Sequence, residues 1–133
     1  MEDQQYLHSE ITGKILKVFF QVFNHLGYGF EKSVYINSLH IELLKDGLKS
    51  ECSKVTGIYY QTIDVGNFIS DIVVEGKVLL KISTQEEISV IDEQVLHNHL
   101  KVCEYQVGLL LNFGIQPQHK RKAYLNERKS NVS

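Results

Sequence analysis

VGNFISDIVVEGKVLLKIST, residues Val65 to Thr84, reads as a β-hairpin. An apolar strand pattern runs from Ile69 to Val74, Glu75-Gly76 supplies a tight two-residue turn, and Lys77 to Ser83 returns. Asp71 sits inside the first strand. A carboxylate in an otherwise apolar strand needs a reason, because burying an unpaired charge is costly.

Working outward, a further strand is predicted around Ser50 to Gln61, carrying Val55, Ile58, Tyr59 and Tyr60, which makes a three-stranded antiparallel meander. Ahead of it, Ile11, Ile15, Phe19, Val22 and Leu26 recur at helical spacing from Ser9 to His25, with Ser9 or Thr12 placed to cap the start. That helix should end at Leu26-Gly27-Tyr28-Gly29, where glycine permits positive φ. A second helix, Lys32 to Asp46, carries Tyr35, Leu39 and Leu43 on one stripe and stops at Gly47, so the two form a helical hairpin.

Downstream, Thr84 to Ser89 is a polar connection holding Glu86 and Glu87. A third helix is predicted from Val90 to Glu104. One stripe is Ile91, Val95 and Val102, and an adjacent one is Leu96, Leu100 and Cys103. Val107 to Phe113 is almost continuously apolar, as in a central strand covered on both faces. A last strand, Lys120 to Leu125, closes the sheet edge, its basic residues discouraging edge-to-edge pairing. The order ααβββαββ implies an α+β fold, an α/β sandwich with a mixed central sheet flanked by helices.

With 133 residues, 43% of them hydrophobic and 23% charged, the chain fits one domain over residues 1–133, with flexible ends expected at 1–7 and 127–133. No apolar run approaches the roughly 20 residues that span a bilayer, and the first residues are too polar for a signal peptide. A soluble, cytoplasmic protein with no membrane association is expected. Cys52 and Cys103 are too few for a disulfide scaffold. A formal net charge of -2 argues against strong, sequence-independent attraction to phosphate backbones. The tail containing Lys120, Arg121, Lys122, Arg128 and Lys129 is the local exception, and reads first as a solvated terminal segment.

Several landmarks in order now bear on ancestry: Leu26-Gly27-Tyr28-Gly29-Phe30 followed by Ser33-Val34-Tyr35, the hairpin around Asp71 to Val78, and Gly108-Leu109-Leu110-Leu111-Asn112-Phe113-Gly114. Through them the chain, from His8 to near Leu125, resembles the GxxExxY proteins, a branch of the PD-(D/E)xK nuclease superfamily. The resemblance implies that superfamily's core: a helix before three strands, a crossover helix, and a further strand joining the sheet. It also implies a site built from an aspartate on the second strand, an acid and a lysine two residues apart on the third, and in many members a helix glutamate. Such carboxylates hold a hard cation, usually magnesium, which polarises a phosphodiester and activates water. Strand alternation brings the acid and the lysine to one face.

Matched onto this sequence, the aspartate position is Asp71, but the third-strand acid position is Lys81 and the lysine position is Ser83. Gly29 and Tyr35 fit the helical motif, whose glutamate position falls on Lys32; a histidine often carried late in the first helix falls on Phe23. Neighbouring acids are poorly placed to substitute. Glu31 is rotated by about 100° from the motif position on a helix. Glu75 is about 13 Å along the strand from Asp71 at roughly 3.3 Å per residue. Glu86 and Glu87 follow the third strand with nothing to fold them back. Lys32, Asp71 and Lys81 together carry net positive charge, which repels a divalent cation. Asp71 is expected to pair with Lys81, Lys32 or both; alternatively, the pocket retains an anion.

Other constellations are weaker. His99 and Cys103 share a helix face with His97 nearby, but no CxxC or second ligand pair supports zinc, and Cys103 falls on an apolar stripe. No motif supports a Cys-His nucleophile at Cys103 or Cys52. The glycines at 27 and 29 follow a helix rather than a strand and lack a P-loop lysine, so they read as a turn. Tyr28, Tyr35, Tyr59, Tyr60 and Tyr105 lie on different elements and read as core and rim rather than as a base-stacking platform.

The resulting expectation is a protein that is not an enzyme: a catalytically inactive nuclease-fold chain acting as a binding or structural subunit of a homo-oligomer or larger assembly, with no metal and no cofactor. One alternative is a nucleic-acid-binding protein that does not cleave, with contacts from Lys32, Lys81, Lys120, Arg121 and Lys122. The other is a nuclease with relocated acids, for which magnesium would be the cofactor.

Overall fold

The computed structural model describes residues 6–129. Along the chain come α1 (Ser9–Leu26), α2 (Lys32–Lys45), β1 (Ser50–Tyr60), β2 (Ile63–Val74), β3 (Val78–Ser83), α3 (Val90–Val102), β4 (Val107–Phe113), β5 (Pro117–Ala123) and a 3-10 turn at Asn126–Arg128. The five strands form one mixed sheet in the order β1-β2-β3-β4-β5. β3 and β4 are parallel, joined through α3, and the other neighbours are antiparallel.

α1 and α2 cover one face of the sheet and α3 the other. Ile72, Val74, Leu80, Ile82, Leu109, Leu111 and Phe113 pack with Ile15, Phe19, Tyr35 and Leu39, while Val73, Leu79 and Leu110 pack with Leu96 and Leu100. Every residue of β4 is buried, as its unbroken apolar run requires. With β3 buried alongside it, the sheet centre is sealed on both faces and β1 and β5 form the edges.

The helical hairpin forms as its glycines demand. Gly27 has φ 71° and its N–H reaches back to Phe23 O at 2.7 Å, ending α1 in a conformation that a side chain would disfavour. Neither predicted cap starts α1, however. His8 occupies that position with φ 58°, and Thr12 Oγ1 instead donates to Ser9 O.

Four boundaries differ from the sequence reading. β2 begins at Ile63, well before the apolar pattern at Ile69, because Gln61 and Thr62 adopt positive φ and close a long β1–β2 hairpin. The β2–β3 connection spans three residues, Glu75 to Lys77, with Val74 opposite Val78, so the register moves by one residue from that of a two-residue turn. β5 starts at Pro117 and ends at Ala123, ahead of the predicted Lys120 to Leu125; a proline is tolerated at the first residue of an edge strand. α3 stops at Val102, and of its two predicted stripes only Leu96, Leu100 and Cys103 are buried, leaving Ile91 75% exposed.

Residues 1–5 and 130–133 of the expected flexible ends lie outside the described residues. Leu7 and Lys129, also expected to be loose, are anchored. Leu7 O accepts from Arg121 Nη2 at 2.9 Å, and Lys129 Nζ donates to Cys103 O and Tyr105 O at 2.8 and 2.7 Å. Among the described residues, no helix is long and apolar enough to cross a membrane.

Candidate functional site

The site forms where β2 leaves β3. Their paired register covers Val74/Val78, Val73/Leu79 and Ile72/Leu80. Beyond it, the N–H of Ile82 donates to the carboxylate of Asp71, with 2.8 Å to Oδ2. β2 also turns over near this point: Phe68 packs on the α3 side, although it lies an even number of residues from Ile72, which packs on the α1/α2 side. A side chain thus supplies a hydrogen bond at the point where the strands part.

Lys32 reaches the same oxygen from the first residue of α2, with Nζ 3.1 Å from Asp71 Oδ2. Its helix is positioned by Tyr35, whose ring stacks on Phe113 with centroids 4.1 Å apart. Tyr35 OH donates to Gly27 O at 2.6 Å and accepts from Phe30 N at 3.2 Å, closing the α1–α2 turn. Gly29 lies within that clamped turn with φ 105°.

Between the parted strands lies a cleft of about 70 Å³, lined by Lys32, Ser70, Asp71, Lys81, His99 and the apolar side chains of Ile69, Leu79, Leu80 and Leu96. Lys81 faces it from β3, yet Asp71's ion pair is with Lys32 alone among the described residues. Ser70 is 4% exposed, and its hydroxyl has no hydrogen-bond partner among the described residues. His99 enters from α3, its ring stacked on Phe68 at 3.7 Å. Burial, and then the Lys81 ammonium, hold His99 below its ordinary pKa, while Asp71 pulls the other way. Sequence reasoning placed His99 only in a zinc alternative and passed over Ser70. The available signal was that His99 follows Leu96 by one helical turn and so shares its sheet-facing side.

The remaining predicted residues lie elsewhere. Ser83 is buried and its hydroxyl donates to Asn112 Oδ1 at 2.8 Å. Asn112, not singled out from the sequence for itself, also accepts from Gln85 N and donates to Gln85 O, both at 2.9 Å, which fixes the chain leaving β3. Gly114 must be glycine beside this clamp, since a Cβ would sit 2.4 Å from Gln85 O. Glu86 and Glu87 are exposed past it, outside the lining of the Asp71 cleft. Glu75 accepts from Lys49 N at 2.6 Å, away from Asp71, and Glu31 is exposed ahead of α2.

The basic tail does not form a free patch. Arg121 is held to Leu7 O, and burial pushes its guanidinium pKa down. Lys122 pairs with Glu93 at 2.9 Å, whereas Lys120 is exposed. His97 stands edge-on to Tyr124, and Cys103 is buried with Sγ 3.6 Å from Tyr105 O; burial pushes its thiol pKa up. Cys52 and Cys103 are both free thiols.

A divalent cation does not fit this donor set. The cleft offers one carboxylate, one of whose oxygens already accepts from a backbone N–H and is ion-paired with an ammonium, and Lys81 adds a second positive charge. Magnesium prefers octahedral oxygen ligation with carboxylates, and two ammonium groups oppose it. Among the described residues, no three His, Cys, Asp or Glu side chains gather to hold a metal. The residues present can hold a carboxylate in a charge-paired state and present hydrogen-bond donors to a small guest.

No curated protein matches the chain at a significant level. Among solved structures, it is similar to the crystal structure of SSO0001, with 15% identity and a TM-score of 0.46, covering 92% of this chain and 62% of that one. This chain therefore spans less than two thirds of that protein's length. A family model described as the PD-(D/E)XK nuclease superfamily matches residues 9–123, the segment that holds all five strands and all three α-helices. With that match and the αα-βββ-α-ββ mixed sheet, the chain belongs to the PD-(D/E)XK nuclease superfamily.

Proposed function

We propose that this chain is a non-catalytic member of the superfamily, of the GxxExxY branch, that serves as a binding or structural subunit of a homo-oligomer or larger assembly. The observation that carries this reading is the ion pair of Lys32 Nζ with Asp71 Oδ2 at 3.1 Å. Where the superfamily's chemistry calls for a carboxylate beside the strand aspartate, this chain puts a cation on it. Lys81 stands where the second acid would be, and Ser83 is tied to Asn112 rather than turned to the cleft.

Support for a subunit role comes from the β1–β2 arm. β1 is an edge strand without proline, and Val55, Val65 and Ile69 on this hairpin are 61%, 59% and 60% exposed. Exposed apolar side chains beside a sheet edge are a surface that assemblies cover, while Lys54 and the register shift at Ile58/Tyr59 blunt strand pairing along the edge itself. The alternative of nucleic-acid binding without cleavage loses ground, because Arg121 and Lys122 are engaged within the fold.

The test is a titration of the full chain with magnesium or manganese, following thermal stability and cleavage of single- and double-stranded DNA. The expected result is no saturable metal stabilisation and no cutting. Metal-dependent stabilisation together with cleavage that Asp71→Ala abolishes would overturn the reading.

A further inference from the structure

We propose that the cleft between β2 and β3 binds a small oxyanion of the phosphate type. The inference rests on the non-catalytic reading above, since a site with bound magnesium would have the opposite charge requirement. Three independent features converge.

The first is charge. Lys32 is committed to Asp71, which leaves the Lys81 ammonium facing the cleft without an ion pair among the described residues. One unbalanced positive charge in a half-enclosed space attracts a monoanion. The second is the Ser70 hydroxyl. It is 4% exposed, lines the same cleft and has no partner among the described residues. Buried hydroxyls are almost always satisfied, so an orphan beside an open volume marks the place of a missing acceptor or donor. The third is His99, whose ring is fixed in the cleft lining by stacking on Phe68, where a ring N–H can be directed at an oxygen.

The cleft measures about 70 Å³, room enough for a small ion. A tetrahedral oxyanion can meet an ammonium, a hydroxyl and an imidazole N–H from different directions. Asp71 does not prevent this, because Lys32 offsets its charge and the Ile82 N–H takes up part of its hydrogen-bonding capacity.

The experiment uses the full chain and inorganic phosphate at constant ionic strength, read by calorimetry and by phosphorus-31 line broadening. Saturable binding is expected. It should weaken by about tenfold or more in Lys81→Met, which removes a charge-assisted contact, and by about threefold in Ser70→Ala. Lys77→Met, on the exposed β2–β3 loop, should bind as the unmodified chain does. If Lys81→Met fails to fold by circular dichroism, Ser70→Ala decides.

No saturable phosphate binding, or binding indifferent to both cleft variants, overturns the proposal. A 5′-phosphorylated oligonucleotide that binds more tightly than inorganic phosphate, again through Lys81, supports the site and assigns its phosphate to a nucleic-acid end. Magnesium titration separates the two readings. Stabilisation by magnesium that depends on Asp71 overturns both, whereas no response to either ion overturns the oxyanion alone.

Discussion

Asn112 on β4 and Asp71 on β2 each bring a polar side chain into the sheet interior, and their surroundings are opposite in kind. Asn112 is fully buried and makes three hydrogen bonds, to the Ser83 hydroxyl and to both backbone groups of Gln85. Asp71 is half-buried, and around its ion pair stand an open cleft and, counting the described residues, a hydroxyl without a hydrogen-bond partner and an ammonium without an ion pair. A polar group kept for architecture uses its capacity on its own fold, as Asn112 does. A polar group bordered by unused donors retains capacity for something from outside.

The largest effect expected from this contrast is on Asn112→Ala. It strands the Ser83 hydroxyl and the Gln85 N–H and C=O in buried or half-buried positions, and should cost about 3 kcal/mol. Thermal denaturation should show a Tm drop of about 10 °C for a chain of this size. A loss under about 1 kcal/mol would mean that water or backbone relaxation satisfies those groups and that the clamp is not architectural.

Asp71→Ala should cost less, about 1–2 kcal/mol, because Lys32 is 45% exposed on its side chain and rehydrates once released, leaving mainly the Ile82 N–H to be satisfied. Equilibrium unfolding in urea measures the difference. If Asp71→Ala costs as much as Asn112→Ala, then Asp71 is as structural as Asn112, and the distinction between a closed clamp and an open cleft fails.

The same contrast marks what could be read from the sequence. The two helices, the meander and the buried strand follow from short-range signals: helical spacing from Ile11 to Leu26, the glycine at 27, and the apolar run Val107 to Phe113. Asp71 stood out because it interrupts such a run. Lys32, Asp71 and Lys81 could be grouped into one pocket by matching the family motif, but Ser70 and His99 could not, because their place depends on β2 turning over between Phe68 and Ile72 and on His99 arriving from a distant helix. Local spacing carries neither fact. Ile91 shows the converse failure: its helical periodicity is real, yet α3 meets the sheet through Leu96 and Leu100, so Ile91 faces solvent while Val102, on the same stripe, is only partly buried against the core. Tail charge misled in the same way, since Arg121 and Lys122 look free until Leu7, just ahead of α1, and Glu93 of α3 are brought against them.

The smallest predicted effect is the most specific to the cleft. His99 is packed by Phe68 and Asp71 from β2 and by Lys81 from β3, with Lys32 across the cleft from α2. Its folded pKa lies below the ordinary value of 6.5. An unfolded chain therefore binds a proton there more readily than the folded one, and its share of stability is present above pH 6.5 and is lost as pH falls through 6.5 towards the lower folded value. Carboxylates elsewhere also respond to acid, so the readout is the difference between the unmodified chain and His99→Gln, in which this slope should disappear. Proton NMR titration of the ring sharpens the assignment. Removing the Asp71 carboxylate should move the His99 pKa further down, and Lys81→Met should move it up. If neither variant moves it, His99 does not sense the cleft charges, and its depressed pKa comes only from burial against Phe68.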